Sequence, residues 1–280
     1  MEDRIGGFPM KKTFRPQWYL VFVTLFVSLV GVVVRWQQIS SELLPDGGLA
    51  EGSFLHYILL AFIAILFVSL ILLLRLLPKK NCWFQVFSPN FLANGLHLVC
   101  AAGLAMGNII LWINGRQSAT FLATLSPEVS RVLASVLPPL GILAAVCLAV
   151  FAVLSTLQKR PSPLLYMIVS LYLVLHLIVC FQDWNTDPSV HDYGFQLMAA
   201  ICCMLGAFQL AGFSFEKGRL RLTLFWTLCA TAFSCISIAD TVLKGTVDST
   251  LINLSLFLTM AVSSGQLLAA SRRDEAPVDG

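Results

Sequence analysis

Eight stretches of this chain run for about twenty residues with almost no charge, long enough for a helix to cross a hydrocarbon core of roughly 30 Å. They cover residues 18–36, 55–77, 91–112, 137–157, 163–182, 193–213, 222–238 and 251–270. Lipid offers no partner to a bare N–H or C=O, so each span must satisfy its backbone within itself, as a helix does. The stretches are continuously apolar rather than alternating, which excludes a β-barrel. The expected fold is an all-α integral membrane protein, a bundle of about eight transmembrane helices. Residues 1–17 form a basic tail, 18–270 a single transmembrane domain and 271–280 a second tail. The connections are short and leave no room for a soluble domain.

Composition points the same way. Only 12% of the residues are Asp, Glu, Lys or Arg and 58% are hydrophobic, about half the charge that a soluble domain carries. That is too little charge to cover a water-facing surface. A cytosolic enzyme, a nucleic-acid binder, a disordered chain and a secreted disulfide scaffold are all excluded, and the lipid bilayer is the expected surrounding.

The basic residues set the expected orientation. One face of the bundle receives Arg4, Lys11, Lys12, Arg15, Arg75, Lys79, Lys80, Lys159, Arg160, Lys217, Arg219, Arg221, Arg272 and Arg273, and the other only Arg35, Arg116, Arg131 and Lys244. The second face holds most of the acids, among them Glu42, Asp46, Glu51, Glu128, Asp183, Asp187, Asp192, Asp240 and Asp248. This asymmetry predicts both termini in the cytoplasm and a cell (cytoplasmic) membrane location. Trp18, Tyr19, Trp83 and Trp226 fall at the inner interface, and Trp36, Tyr57, Trp112, Trp184 and Tyr193 at the outer one, the depth that amphipathic rings prefer. The first apolar run is too long for a signal h-region and reads as an uncleaved anchor.

Within the membrane, no Asp, Glu, Lys or Arg falls near the middle of a span, which argues against proton- or ion-coupled transport. His97 and His176 differ in depth by about 10 Å at 1.5 Å per residue, so they do not form a bis-histidine haem site. No metal-binding His-Glu-x-x-His, acidic pair or Gly-x-Ser-x-Gly elbow is present. No catalytic residue, metal site or cofactor is expected. The eight cysteines contain no C-x-x-C pair and read as small packing residues.

Several features mark candidate sites. Gly103-x-x-x-Gly107 lets two helix backbones approach closely. Small and polar stripes run along the sixth span (Gln196, Ala200, Cys203, Ala207), the seventh (Thr223, Thr227, Thr231, Ser234) and the eighth (Ser255, Thr259, Ser263, Gln266). They read either as helix seams or as the wall of a polar cavity, with Gln196, Asn253 and Gln266 supplying hydrogen bonds. An outer rim of Asp183, Trp184, Asp187, His191, Asp192 and Tyr193, with Asp240 nearby, sets carboxylates beside aromatics, an arrangement that suits a cationic solute. The last four spans carry a faint repeat offset by 57 residues, pairing Asp183 with Asp240, Gln196 with Asn253 and Gln209 with Gln266. Before the fourth span, Ser126-Pro127-Glu128 is a helix start. The apolar face that follows reads as a short amphipathic helix on the outer surface, broken at Pro138-Pro139, with one long, kinked and tilted helix as the alternative.

The leading expectation is a non-enzymatic protein that binds or passes a small solute through a polar cavity among the later spans. The competing expectation is a membrane subunit or sensor that docks a membrane or cytoplasmic protein through its small-residue seams. Gly103 and Gly107 would then face outward. An intramembrane enzyme is third, and needs two or more of His97, His176, Ser263 and Ser264 within hydrogen-bond reach.

Overall fold

The computed structural model describes residues 16–42, 54–77, 87, 90–115, 127–184, 194–243 and 245–272. All regular structure in them is helical. The elements are α1 (Pro16–Glu42), α2 (Phe54–Leu74), α3 (Phe91–Gly115), α4 (Pro127–Thr156), α5 (Leu164–Trp184), α6 (Gly194–Ser214), α7 (Leu220–Leu243) and α8 (Val247–Arg272). Seven are long and apolar enough to cross a membrane. In α5 the apolar stretch runs over Leu164–Val179, which is why the strict count falls one short of eight.

The helices alternate in direction, and their neighbours define a ring. α3 packs on α4, α4 on α5, α5 on α6, α6 on α7 and α7 on α8, and α8 returns to α3. The α1–α2 hairpin lies outside this ring, against α7. α7 is therefore the most enclosed helix, and its buried positions include Thr223, Thr227, Thr231, Ser234, Ser237 and Asp240. α2, the most apolar helix, is the least enclosed. Lipid tails reward an apolar outer surface, so greasiness here reports exposure to lipid and polarity reports burial in protein.

Small residues set the closest approaches. A Cβ on Gly31 of α1 would fall 2.6 Å from Ile236 of α7. On α3, a Cβ on Gly103 would meet Ser255 Oγ at 2.5 Å, and one on Gly107 would meet Ile252 Cγ1 at 2.8 Å and the backbone of α8 at 3.2 Å. Both glycines therefore face the ring's own closing helix, not the lipid.

α4 takes the alternative form, one long helix, rather than the leading one. It runs unbroken from Pro127 to Thr156 with Pro138 and Pro139 inside it, so there is no separate interfacial helix. The spanning stretch begins near Ser135, and the residues before it are the projecting end of one long helix. Membrane helices tolerate proline because hydroxyls and neighbouring helices help satisfy the freed backbone groups.

One end of the bundle gathers the arginines of the short connections. We call this the basic end; α1, α3, α5 and α7 begin there, and the even-numbered helices finish there. Two arginines cap helix C-termini from neighbouring segments. Arg160 Nε donates to Ser214 O of α6 at 2.8 Å, and Arg221 Nε donates to Leu77 O, just past α2, at 2.8 Å. Nη2 of each arginine reaches the same carbonyl. Cations there answer the orphan carbonyls and the negative dipole end. α4 and α6 close alike. The N–H of Lys159 reaches Leu154 O and that of Lys217 reaches Gly212 O, with Gln158 and Glu216 in the left-handed region at φ 55° and 58°. This is the Schellman closure, which glycine usually supplies.

Candidate functional site

The seams of hydroxyl residues resolve first. Thr223 donates to Arg219 O at 3.0 Å, Thr231 to Thr227 O at 2.7 Å, Ser255 to Leu251 O at 2.7 Å and Thr259 to Ser255 O at 2.7 Å. Each hydroxyl is bonded within its own helix, as in a packed helix–helix seam. Cys203 Sγ and Ser234 Oγ, 3.3 Å apart, instead join α6 to α7 across the seam.

Gln196, Asn253 and Gln266 do not converge. Gln196 is in the first turn of α6 and Asn253 in the second turn of α8, both toward the end opposite the basic one. Gln266 is thirteen residues farther along α8, about 20 Å at 1.5 Å per residue. All three are half-buried.

Around Gln266 the ring holds a polar cluster. Gln266 Nε2 lies 3.5 Å from Asn94 Oδ1, and Asn94 Nδ2 donates to Thr156 Oγ1 at 3.0 Å. Gln266 is also beside His97, one turn along α3 from Asn94, and Ser263, one turn before Gln266, is beside Tyr166 of α5. His97 and Ser263 are wholly buried and Tyr166 is 2% exposed. Even so, both ring nitrogens of His97, Tyr166 Oη, Ser263 Oγ and Gln266 Oε1 find no hydrogen-bond partner of good geometry among the described residues. The wall between them is aromatic. The Phe151 ring of α4 stands edge-on to His97, with centroids 5.8 Å apart, and to Tyr166 at 4.6 Å. Phe87 packs against Phe151 and Phe213.

These residues lie about two turns inside α3 and α8, within the hydrocarbon depth. An unsatisfied polar atom there costs of order 1–3 kcal/mol, which favours the local pairing of His97 with Gln266 and of Tyr166 with Ser263. The sequence singled out His97, Ser263 and Gln266 separately. It did not single out Asn94, Thr156 or Tyr166. A legible signal for them is position: each is polar or amphipathic and lies within two turns of the basic end, on a different helix of the ring.

The outer-rim residues fare differently. Asp240 is buried, and its Oδ1 accepts a hydrogen bond from Arg35 Nε of α1 at 2.6 Å. Arg35 Nη1 donates to Gln38 Oε1 at 2.9 Å, and the guanidinium lies over the Phe195 ring, 5.1 Å from its centroid. The charge of Asp240 is thus answered from within the protein. Asp183 and Trp184 close α5, with side chains outside the described residues, and His191 lies wholly outside them. The repeat pairs two hairpins that each pack internally, α5 with α6 and α7 with α8.

A third polar contact ties α3, α4 and α5 together in the half of the ring away from the basic end. Asn108 Nδ2 donates to Leu104 O at 2.8 Å, and Asn108 Oδ1 accepts from Tyr172 Oη at 3.2 Å. Gly141 of α4 makes room for it, because a Cβ there would overlap the Asn108 carboxamide. His176 stacks on Tyr172 with centroids 5.7 Å apart. Among the described residues no group of three His, Cys, Asp or Glu side chains is arranged to hold a metal ion. Cys100, Cys147, Cys202, Cys203, Cys229 and Cys235 are free thiols.

The chain is a helical membrane protein of the multi-pass kind. No protein-family model, curated protein or solved structure matches it.

Proposed function

We propose that this protein binds a small molecule inside the ring of α3 to α8, at the Asn94, His97, Tyr166, Ser263 and Gln266 cluster, and that it does so without catalysing a reaction. A cell-membrane location with both termini in the cytoplasm belongs to this reading, and puts the cluster in the cytoplasmic half of the bilayer. The observation that carries it is the gathering of His97, Tyr166 and Ser263, all buried and on three different helices, around Gln266, with neither ring nitrogen of His97 in a hydrogen bond of good geometry among the described residues. A neutral imidazole always presents one donor and one acceptor, and a ligand that meets both relieves the cost of burying them.

This moves the expected site from the outer rim and the Gln196–Asn253 level to the opposite end of the ring. It also takes support from the subunit reading, because Gly103 and Gly107 pack on α8 and offer no groove to a partner.

A panel of chemically varied small solutes, scored by thermal stabilisation of the protein in nanodiscs, tests the proposal. Selective stabilisation that His97→Phe or Gln266→Leu abolishes is the expected result. If every stabilising solute acts equally on these variants, the ring interior is not the site.

A further inference from the structure

At the basic end, two connections of the ring are locked to one another. One follows α4 over residues 157–163 and the other follows α6 over 215–219. Arg160 reaches from the first to the second, donating through Nε to Ser214 O and through Nη1 to Glu216 Oε1, both at 2.8 Å. The two Schellman closures then repeat one three-residue pattern. Leu157 and Phe215 come first, left-handed Gln158 and Glu216 second, and Lys159 and Lys217 third. The two lysines thus hold equivalent places at the ends of two helices that one arginine ties together.

The charge of this surface is not cancelled. Glu216 is the one acid of the two connections, and it is already paired with Arg160. Lys159, Lys217 and Arg219 are exposed and make no ion pair among the described residues. α5 and α7 begin directly after the two connections with no acid in the first turn, so two positive dipole ends add to the same field. An anion is the complement of such a surface.

The apolar members of the pattern say which anion. Leu157 is 58% exposed and Phe215 51%, each two residues before its lysine. The orientation rule asks only that these connections be basic. It does not ask that large apolar side chains stand uncovered beside the charges. A soluble phosphate or an acidic peptide gives such side chains nothing to contact. A phospholipid supplies both parts in the matching order, acyl carbon first and phosphate beyond it, and lysine stems span the boundary between them.

We propose that the paired connections after α4 and α6 hold the headgroup of an anionic phospholipid. Lys159 and Lys217 meet the phosphate as point charges, Arg219 adds to the field, and Leu157 and Phe215 lie against the acyl chains. Arg160 is a positioning residue, committed to Ser214 and Glu216 and setting the spacing of the two lysines. A zwitterionic head carries its own cation and is the poorer fit. This inference does not depend on the binding reading of the ring interior.

The test uses the full chain in phosphatidylcholine nanodiscs containing a minor share of phosphatidylglycerol. Native mass spectrometry reads which lipid stays on the protein, and thermal melting reads the stabilisation it brings. The expected result is retention of phosphatidylglycerol over phosphatidylcholine, weakened about thirtyfold in Lys159→Gln/Lys217→Gln, or about fivefold for each lysine removed. Should the double variant melt early in pure phosphatidylcholine, the two single variants carry the test. Arg75→Gln removes an exposed cation from the same end of the bundle, just past α2, and should leave retention nearly unchanged. Full retention in the lysine variants overturns the proposal. So does an equal loss in Arg75→Gln, which would mean a diffuse attraction of the whole end. If inorganic phosphate added to phosphatidylcholine nanodiscs stabilises as well as phosphatidylglycerol does, and the lysine variants lose that effect, the occupant is free phosphate and the lipid assignment is overturned.

Discussion

Arg35 and Asp240, 205 residues apart in sequence, meet at 2.6 Å between Nε and Oδ1, both fully buried where α1 crosses α7. The pair fastens the peripheral hairpin to the ring near the end opposite the basic one. Arg221 fastens it at the basic end through the carbonyl that follows α2. Removing one partner strands the other charge. Asp240→Ala is expected to destabilise the protein by about 3–5 kcal/mol, as breaking a buried pair does elsewhere. The double variant Arg35→Met/Asp240→Leu should recover most of that loss. Unfolding midpoints in a mixed-micelle titration check it, and a double variant no better than the single would mean that the pair is not the fastener.

The Asn108 contact gives a second test. Gly141→Ala places a methyl group on the Asn108 carboxamide and should cost about 1–3 kcal/mol, the usual penalty of overpacking. Adding Asn108→Ala to it should restore part of the loss by removing the clashing group. If Gly141→Ala alone melts like the parent, α4 does not approach α3 as closely as described.

The two glycines of α3 should respond unequally. The neighbour of Gly103 is a serine hydroxyl, which can rotate away. The neighbours of Gly107 include Asp248 O and Ile252 N, and backbone cannot yield in that way. Gly107→Ala should therefore cost about 1–3 kcal/mol, and Gly103→Ala distinctly less. Neither should alter oligomeric state. A change in mass by light scattering would show that the glycines serve an outer contact instead.

Gln158 pays the strain of a left-handed conformation at the end of α4. Gln158→Gly should raise stability by about 1 kcal/mol, because glycine adopts that conformation without a Cβ clash. Glu216 has the same backbone geometry but also accepts from Arg160 Nη1 at 2.8 Å. Glu216→Gly should therefore gain less, and a larger gain than at Gln158 would show that this exposed ion pair contributes nothing.

The eight helices were legible because a span announces itself by unbroken apolarity and needs no partner to do so. The ring was not. Lipid and neighbouring helices are equally apolar, so the periodic stripe that tells a soluble helix where its neighbour lies is faint here. Gly103-x-x-x-Gly107 marked a seam but could not name α8 as its other half. Asp240 read as a rim carboxylate because Arg35 is remote in sequence. The prolines of α4 read as a break because they end helices in water, whereas a packed membrane helix continues through them. The candidate site was legible only as scattered residues. His97, Ser263 and Gln266 acquire meaning when α3 and α8 are placed side by side, and Tyr166 when α5 is added.

The contact between α3 and α8 also sets an order of events during synthesis. Residue 247 leaves the ribosome 132 residues after residue 115, roughly 7–26 s later at ordinary elongation rates. Throughout that interval Gly103, Gly107 and His97 have no α8 to meet. α8 is the helix that makes the interior an interior. A nascent chain cut short before α8 would present the polar face of α3 to lipid, giving membrane quality control a direct cue that the protein is unfinished.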